Sequence, residues 1–181
     1  MKRFTFIATL FAALFTFEIF AQEAVKPRPS PTAIVTMKYE DAYVKITYCQ
    51  PHKKGREIFG ELVPFGKVWR TGANEATEVT ITQDITIAGK NLAAGTYAIF
   101  TIPNKDEWTI IFNTGLGQWG SYNYNEEQDV LRVQGEVSTT DKEWEPFTIA
   151  FEQKNSSANL VMMWDKTKVT LPLEFKSTYT R

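Results

Sequence analysis

The residues best suited to chemistry lie in an irregular stretch, residues 51–77, which reads PHKKGREIFGELVPFGKVWRTGANEAT. Its Gly and Pro content argues against a helix, and it lacks the alternation of a strand. Arg56 and Arg70 carry planar guanidinium groups suited to a carboxylate or phosphate. Arg70 and Glu75 flank a predicted turn, residues 71–74, which can direct backbone amides and the Asn74 side chain to one point. We expect either a ligand site here or a loop in which an arginine and Glu75 neutralise each other.

Aromatic side chains outside the predicted strands form a second group of candidates. Trp69 lies in the first stretch, and Trp119, Tyr122 and Tyr124 lie in a glycine-rich second stretch, residues 115–125. Exposed rings flanked by polar side chains are typical of sites for a sugar or a small apolar ligand. Tryptophans at the end of a β structure also fill the core, so both interpretations stay open. The proposed ligand-binding residues are Arg56, Trp69, Arg70, Asn74, Glu75, Trp119 and Tyr122.

Metal and triad chemistry are disfavoured by the residues present. The only histidine, His52, follows the only cysteine, Cys49, whereas zinc requires three or four ligands. The sequence contains no Asp-rich calcium loop and no G-x-S-x-G nucleophile motif. We therefore expect no metal and assign no cofactor.

A carboxylate-dependent hydrolase is the remaining enzymatic hypothesis. In such an enzyme Glu75 would act with a second carboxyl group of different pKa, held roughly 5 to 10 Å away. The sequence offers three downstream candidates for the second group, Asp129, Glu126 and Glu127.

The N-terminus has the pattern of a secretory signal peptide over residues 1–21. Lys2 and Arg3 precede an apolar run from Phe4 to Phe17, and cleavage is predicted after Ala21. The run is shorter than the roughly 18 to 20 residues of a membrane span. We therefore expect an exported protein, periplasmic or extracellular, without stable membrane insertion after cleavage.

The rest of the chain is predicted to be an extended linker, residues 22–31, followed by a single β domain, residues 32–181. Cleavage would remove two of the 20 basic and one of the 21 acidic residues, which leaves 18 and 20 and a formal charge of −2. No polybasic patch remains, so nucleic acid is excluded as a partner. The single cysteine allows no intramolecular disulfide, and the core alone must stabilise the fold.

Alternation of apolar and polar residues predicts an all-β fold. A hairpin is expected from residues 34–39 and 43–50. The β-branched and aromatic residues of 96–103 and 107–113 are typical of central strands, while Pro172 favours an edge position for the last strand. The other predicted strands are 78–83, 85–87, 129–138, 147–153, 159–164 and 168–175. About nine or ten short strands without a helix favour a single-domain β-sandwich, with a small β-barrel as the alternative.

Several sequence segments resemble the domain of unknown function family 2911. They are GREIFGELVPFGKVWRTGANEAT at Gly55–Thr77, LAAGTYAIFTIP at Leu92–Pro103, WTIIFN and QWGSYNY within Trp108–Tyr124, and DVLRV at Asp129–Val133. The resemblance implies an exported bacterial protein, and it supplies no activity, ligand or catalytic residue. Three functions therefore stay open: a binding or accessory module for a small molecule, sugar or peptide, a hydrolase that uses Glu75, and a structural or protein-interaction domain.

Overall fold

The fold is all-β, as predicted, in a computed structural model that describes residues 26–175. The nine strands within this range are β1 Thr32–Tyr39, β2 Ala42–Cys49, β3 Thr77–Ile81, β4 Ile85–Ile87, β5 Lys90–Leu92, β6 Gly95–Ile102, β7 Glu107–Asn113, β8 Asp129–Lys154 and β9 Ser157–Phe175. A single turn of 3₁₀ helix, Glu126–Gln128, precedes β8. The predicted signal peptide lies outside the described residues.

All nine strands belong to one antiparallel sheet in the order β1-β2-β3-β6-β7-β8-β9-β4-β5. The predicted hairpin is present as β1 and β2. In β2 the side chains of Val44, Ile46 and Tyr48 are buried and that of Lys45 is exposed, as the alternation indicated. The choice between a sandwich and a barrel stays a prediction.

The central strands β6 and β7 are buried on both faces, as their composition indicated. Ile99 and Ile110 belong to the main core, which Tyr48 and Phe147 also join. On the opposite face, Phe100 belongs to a smaller cluster with Ala98 and Ile111, and this cluster is covered by Val68 and Tyr124. Since Val68 and Tyr124 come from the two irregular stretches, these stretches pack over the second face of the sheet.

The last two strands are longer than predicted. Residues 129–138 and 147–153 form one strand, β8, because irregular register between Thr139 and Thr148 bends the chain without ending its pairing with β9. The edge position predicted for residues 168–175 is wrong, since this segment pairs with β8 on one side and with β4 on the other. Pro172 is accommodated because it falls between the residues paired with β8 and those paired with β4, and its carbonyl accepts a hydrogen bond from Ala88 N at 2.9 Å.

Candidate functional site

The two irregular stretches form adjacent loops. The first loop, residues 50–76, joins β2 to β3, and the second loop, residues 114–125, follows β7. Ala76 N donates to Gln118 O at 2.8 Å, and Gly120 N donates to Asn74 O at 2.9 Å. Ser121 Oγ also donates to Val68 O at 3.1 Å. Residues far apart in the chain are thereby held at one side of the sheet.

A tight backbone turn fixes the end of the first loop. Thr71 and Asn74 both have positive φ values, 56° and 55°. A Cβ atom on Gly72 would lie 2.9 Å from Cys49 O, a backbone atom, so only glycine allows this approach. Ala73 N donates to the same carbonyl at 3.1 Å, and the buried Thr77 hydroxyl donates to Thr71 O at 2.6 Å. The turn therefore holds Arg70 and Asn74 in fixed positions.

A cleft of about 300 Å³ lies beside this turn, and we name it the Arg70 cleft. Arg70 is half-buried, and its Nε is shielded from solvent without a hydrogen-bond partner. No residue within 26–175 forms an ion pair with it. Four of the seven predicted site residues line this cleft: Arg56, Trp69, Arg70 and Asn74.

The polar groups around Arg70 are partly committed to the loop itself. Arg56 is exposed, and its Nε and Nη2 donate to Lys53 O at 2.9 Å and His52 O at 2.6 Å. Asn74 Nδ2 donates to Ser30 O at 3.3 Å. Ser30, from the segment predicted as a linker, also lines the cleft. Arg56 thus stabilises the loop through two of its nitrogens. The third, Nη1, has no acceptor among residues 26–175.

Glu75 pairs with an arginine that the sequence did not single out. Arg28 Nη1 lies 2.8 Å and 2.9 Å from the two carboxylate oxygens of Glu75, and the Cys49 thiol donates to Glu75 Oε2 at 3.3 Å. The hydrogen bond from Arg28 lowers the pKa of Glu75 below its usual range. Neither predicted partner, Arg56 or Arg70, forms an ion pair with Glu75. The pattern of the sequence contained no signal for Arg28, which lies 47 residues before Glu75.

A second cleft of about 280 Å³ contains the Glu75 side chain, and we name it the Glu75 cleft. Thr32, Cys49 and Glu78 also line it. Glu78 is fixed by Gly117 N, which donates to its Oε1 at 2.8 Å. Cys49 and Glu78 were not predicted to line a cleft with Glu75, because they lie on two different strands, β2 and β3, that only the sheet brings together.

The predicted aromatic residues separate into a core member and two surface members. Trp69 is only 9% exposed, so it is not the exposed stacking surface considered for it. Its ring packs against Phe147 and Trp164, with centroids 5.1 and 6.0 Å away, and its Nε1 donates to Gly72 O at 3.1 Å. Trp119 is 56% exposed and Tyr122 is 82% exposed, and neither lines the Arg70 cleft or the Glu75 cleft.

Two of the three carboxylates proposed as partners of Glu75, Asp129 and Glu126, belong to a different cluster, which is centred on Arg132. Asp129 accepts hydrogen bonds from Tyr124 Oη at 2.6 Å, Arg132 Nε at 2.7 Å and Asn113 Nδ2 at 2.7 Å. Glu126 pairs with the same Arg132 at 3.1 Å. Burial, together with the Asp129 carboxylate, raises the pKa of Tyr124 to about 12. Glu127 is exposed, and its backbone N–H donates to Asn125 Oδ1.

Metal ligands do not cluster in the part of the chain that the structure describes. Residues 26–175 contain no group of three or more His, Cys, Asp and Glu side chains able to hold an ion. Within the same range there is no helix of the length and hydrophobicity that a membrane crossing requires.

The fold and the two loops define an all-β domain built on one antiparallel sheet, with two clefts beside the junction of the loops. The chain belongs to the family described as protein of unknown function (DUF2911), whose model matches residues 30–173. No curated protein and no solved structure shows significant similarity to this chain. The resemblance noted from the sequence is thereby confirmed, and the match includes both loops.

Proposed function

We propose that this protein is an exported binding module whose Arg70 cleft takes a small anionic ligand with a carboxylate or phosphate group. The observation that carries the proposal is the Arg70 guanidinium, whose Nε is shielded from water and has no acceptor. A buried donor without a hydrogen bond is costly, and no residue within 26–175 supplies this guanidinium with a counter-charge, which an anion in the cleft would provide. The planar fork of an arginine matches the geometry of both carboxylate and phosphate groups.

The surroundings of Arg70 support an anion over other ligands. Arg56 adds a second positive charge at the cleft, and Asn74 adds an amide. Trp69 and Trp164 supply apolar lining. The volume of about 300 Å³ lies at the lower end of the roughly 300 to 1,000 Å³ of small-molecule sites. The combination suits a small organic acid or phosphate ester.

The substitution Arg70→Gln tests this proposal. Thermal shift and calorimetric titration against a panel of small carboxylic acids and phosphate esters should identify a ligand that binds the wild-type protein. Arg70→Gln should lower the affinity for that ligand by about 10- to 150-fold, because a hydrogen bond to a charged group contributes roughly 1.5 to 3 kcal/mol. Arg70→Lys should restore only part of the affinity, since it keeps the charge and loses the fork.

Lys67→Gln is the matched control for the loss of one positive charge. Lys67 lies on the same loop, is exposed and does not line the Arg70 cleft. Its replacement should leave the affinity unchanged. A ligand that stabilises wild type and Arg70→Gln equally, or a panel in which no acid binds, would contradict the proposed function.

Export is tested by the mass of the mature chain. When the full sequence is expressed in a bacterium with a periplasm, the periplasmic fraction should contain a chain that begins at Gln22, because the pattern of residues 1–21 predicts cleavage after Ala21. Ala21→Arg should block cleavage, since the site requires a small residue. A wild-type chain recovered from the cytosol with residues 1–21 intact would show that export does not occur.

A further inference from the structure

A third cleft, of about 250 Å³, is lined by other residues of the first loop together with residues of β7, β8 and β9, and we name it the Trp108 cleft. Phe59, Phe65, Asn104 and Asp165 are among its lining residues, together with Trp108. It shares Phe65, Asn104 and Lys105 with a wider surface groove of about 590 Å³. Because three residues line both spaces, the cleft and the groove form one continuous depression.

The indole of Trp108 is the unusual feature of this cleft. Trp108 is only 1% exposed, yet its Nε1 has no hydrogen-bond acceptor. A buried donor without a partner costs about 1 to 3 kcal/mol, and folded proteins contain few such groups. The other two buried indoles provide the contrast, because Trp69 Nε1 donates to Gly72 O and Trp164 Nε1 donates to Glu145 O. Trp108 is therefore the buried tryptophan with an unused donor, and it lines a cleft.

The rim of the Trp108 cleft carries polar side chains. No residue within 26–175 forms an ion pair with Glu57 or Lys105, and Asn104 adds an amide to the rim. All three are exposed and line the cleft. Asp165 carries a carboxylate that Lys53 neutralises at 2.8 Å. The rim thus offers acceptors and donors at several points around a buried donor.

The balance of charge separates this cleft from the Arg70 cleft. Glu57 lines the cleft, and Asp106 and Glu107 line the adjoining groove, whereas Lys105 is the cation that lines both. An excess of carboxylates disfavours an anionic ligand. A cation is equally unsuited to the buried end, because the Trp108 indole is a donor and requires an acceptor. A hydroxyl group satisfies both requirements, since it accepts from the indole and donates to a carboxylate.

We propose that the Trp108 cleft binds a saccharide, with a sugar oxygen accepting from Trp108 Nε1 and hydroxyl groups donating to Glu57. Phe59 and Phe65 are half-buried and offer apolar ring surface to the C–H groups of the sugar. The volume of about 250 Å³ is smaller than most sites for drug-sized ligands. It suits one sugar ring, and further units would lie in the groove along Asn104 and Lys105. This site is independent of the anion proposed for the Arg70 cleft.

The indole N–H signals of the ¹⁵N-labelled protein provide a direct test. The chain contains five tryptophans, and the signal of Trp108 is assigned as the one that Trp108→Phe removes. Titration with D-glucose, D-galactose and N-acetyl-D-glucosamine should shift this signal in a saturable manner for at least one sugar. Trp108→Phe should lower the affinity for that sugar by about 5- to 10-fold, as expected for the loss of one neutral hydrogen bond.

Two further variants distinguish a loss of sugar binding from a loss of folding. Glu57→Gln lies on the exposed rim and should weaken the same sugar without changing stability. Trp119→Phe removes an exposed indole outside the cleft and should leave sugar binding unchanged. If no sugar shifts the Trp108 signal, or if Trp108→Phe and Glu57→Gln bind the sugar as tightly as wild type, the saccharide site does not exist and the buried indole donor has no acceptor.

Discussion

Replacing Trp69 with alanine is expected to lower the free energy of unfolding by about 3 to 5 kcal/mol, the usual cost of deleting a buried aromatic ring. The ring packs against Phe59, Trp108, Phe147 and Trp164, and no smaller side chain fills that space. The substitution also leaves Gly72 O without the indole donor that lies 3.1 Å away. Urea denaturation followed by circular dichroism measures the change.

Trp119→Ala is the matched control for this substitution. Trp119 was predicted as a member of the same site, but it is 56% exposed whereas Trp69 is 9% exposed. Its removal should change stability by no more than about 0.5 kcal/mol. If Trp69→Ala lowered stability as little as Trp119→Ala, Trp69 would not lie in the core, and the lining assigned to the Arg70 cleft would then be incorrect.

The strands could be predicted because their local pattern reflects which face is buried. In β2 the alternation of Val44, Ile46 and Tyr48 with polar residues reports the core on one side. In β6 and β7 the continuous apolar sequence reports burial on two sides. What the pattern could not report is where a strand ends. Residues 139–148 contain polar side chains typical of a loop, yet β8 continues through them by changing register.

The partners within the site could not be predicted, because they depend on contacts between distant segments. The turn before Glu75 was recognised from its residues, and its backbone strain is present at Asn74. The ion pair of Glu75 with Arg28 was not predicted, because residues 22–31 have the proline-rich composition of a linker. Nothing in that composition indicates that the segment contacts the domain. Ser30 O accepts from Asn74 Nδ2, and Pro31 O accepts from Gln50 N. Part of the segment expected to be a linker therefore hydrogen-bonds to a residue of each cleft, Glu75 and Asn74.

The different burial of two tryptophans also depends on contacts between distant segments. The sequence contains Trp69 and Trp119 in similar glycine-rich surroundings, and no local rule separates them. Trp69 is buried because its backbone pairs with Thr101 of β6, with Trp69 N donating to Thr101 O at 2.7 Å. Trp119 pairs with Glu75 of the first loop, and its side chain is exposed. Side-chain burial in loops follows from such pairings and not from composition.

Asp129→Ala is expected to lower the free energy of unfolding by about 3 kcal/mol, at the lower end of the cost of breaking a buried ion pair. The Asp129 side chain is 8% exposed and accepts from three donors, of which the Asn113 amide is fully buried. Without the carboxylate, these donors lose their acceptor. The value is kept at the lower end because Arg132 is 36% exposed and regains part of its hydration.

Glu126→Ala is the control, since Glu126 pairs with the same arginine but is 75% exposed. Its removal should cost no more than about 0.5 kcal/mol. Chemical denaturation of the two variants under identical conditions compares a buried and an exposed carboxylate on one guanidinium. If Glu126→Ala were as destabilising as Asp129→Ala, charge alone and not burial would account for the stability of the cluster.

The titration of Tyr124 gives an independent measure of the same contacts. Burial and then the Asp129 carboxylate raise the pKa of Tyr124 to about 12, while Arg132 opposes them. A raised pKa of an acid favours the protonated phenol in the folded state, so the contribution to stability is complete below about pH 10 and is lost as the pH rises toward 12. In Asp129→Ala the carboxylate is gone and Arg132 remains, and the pKa of Tyr124 should therefore fall. The pKa of Tyr124 is measured from the absorbance of the phenolate band, after subtraction of the signal of the matching Tyr124→Phe variant. An unchanged pKa in Asp129→Ala would mean that burial alone, and not Asp129, raises the pKa of Tyr124.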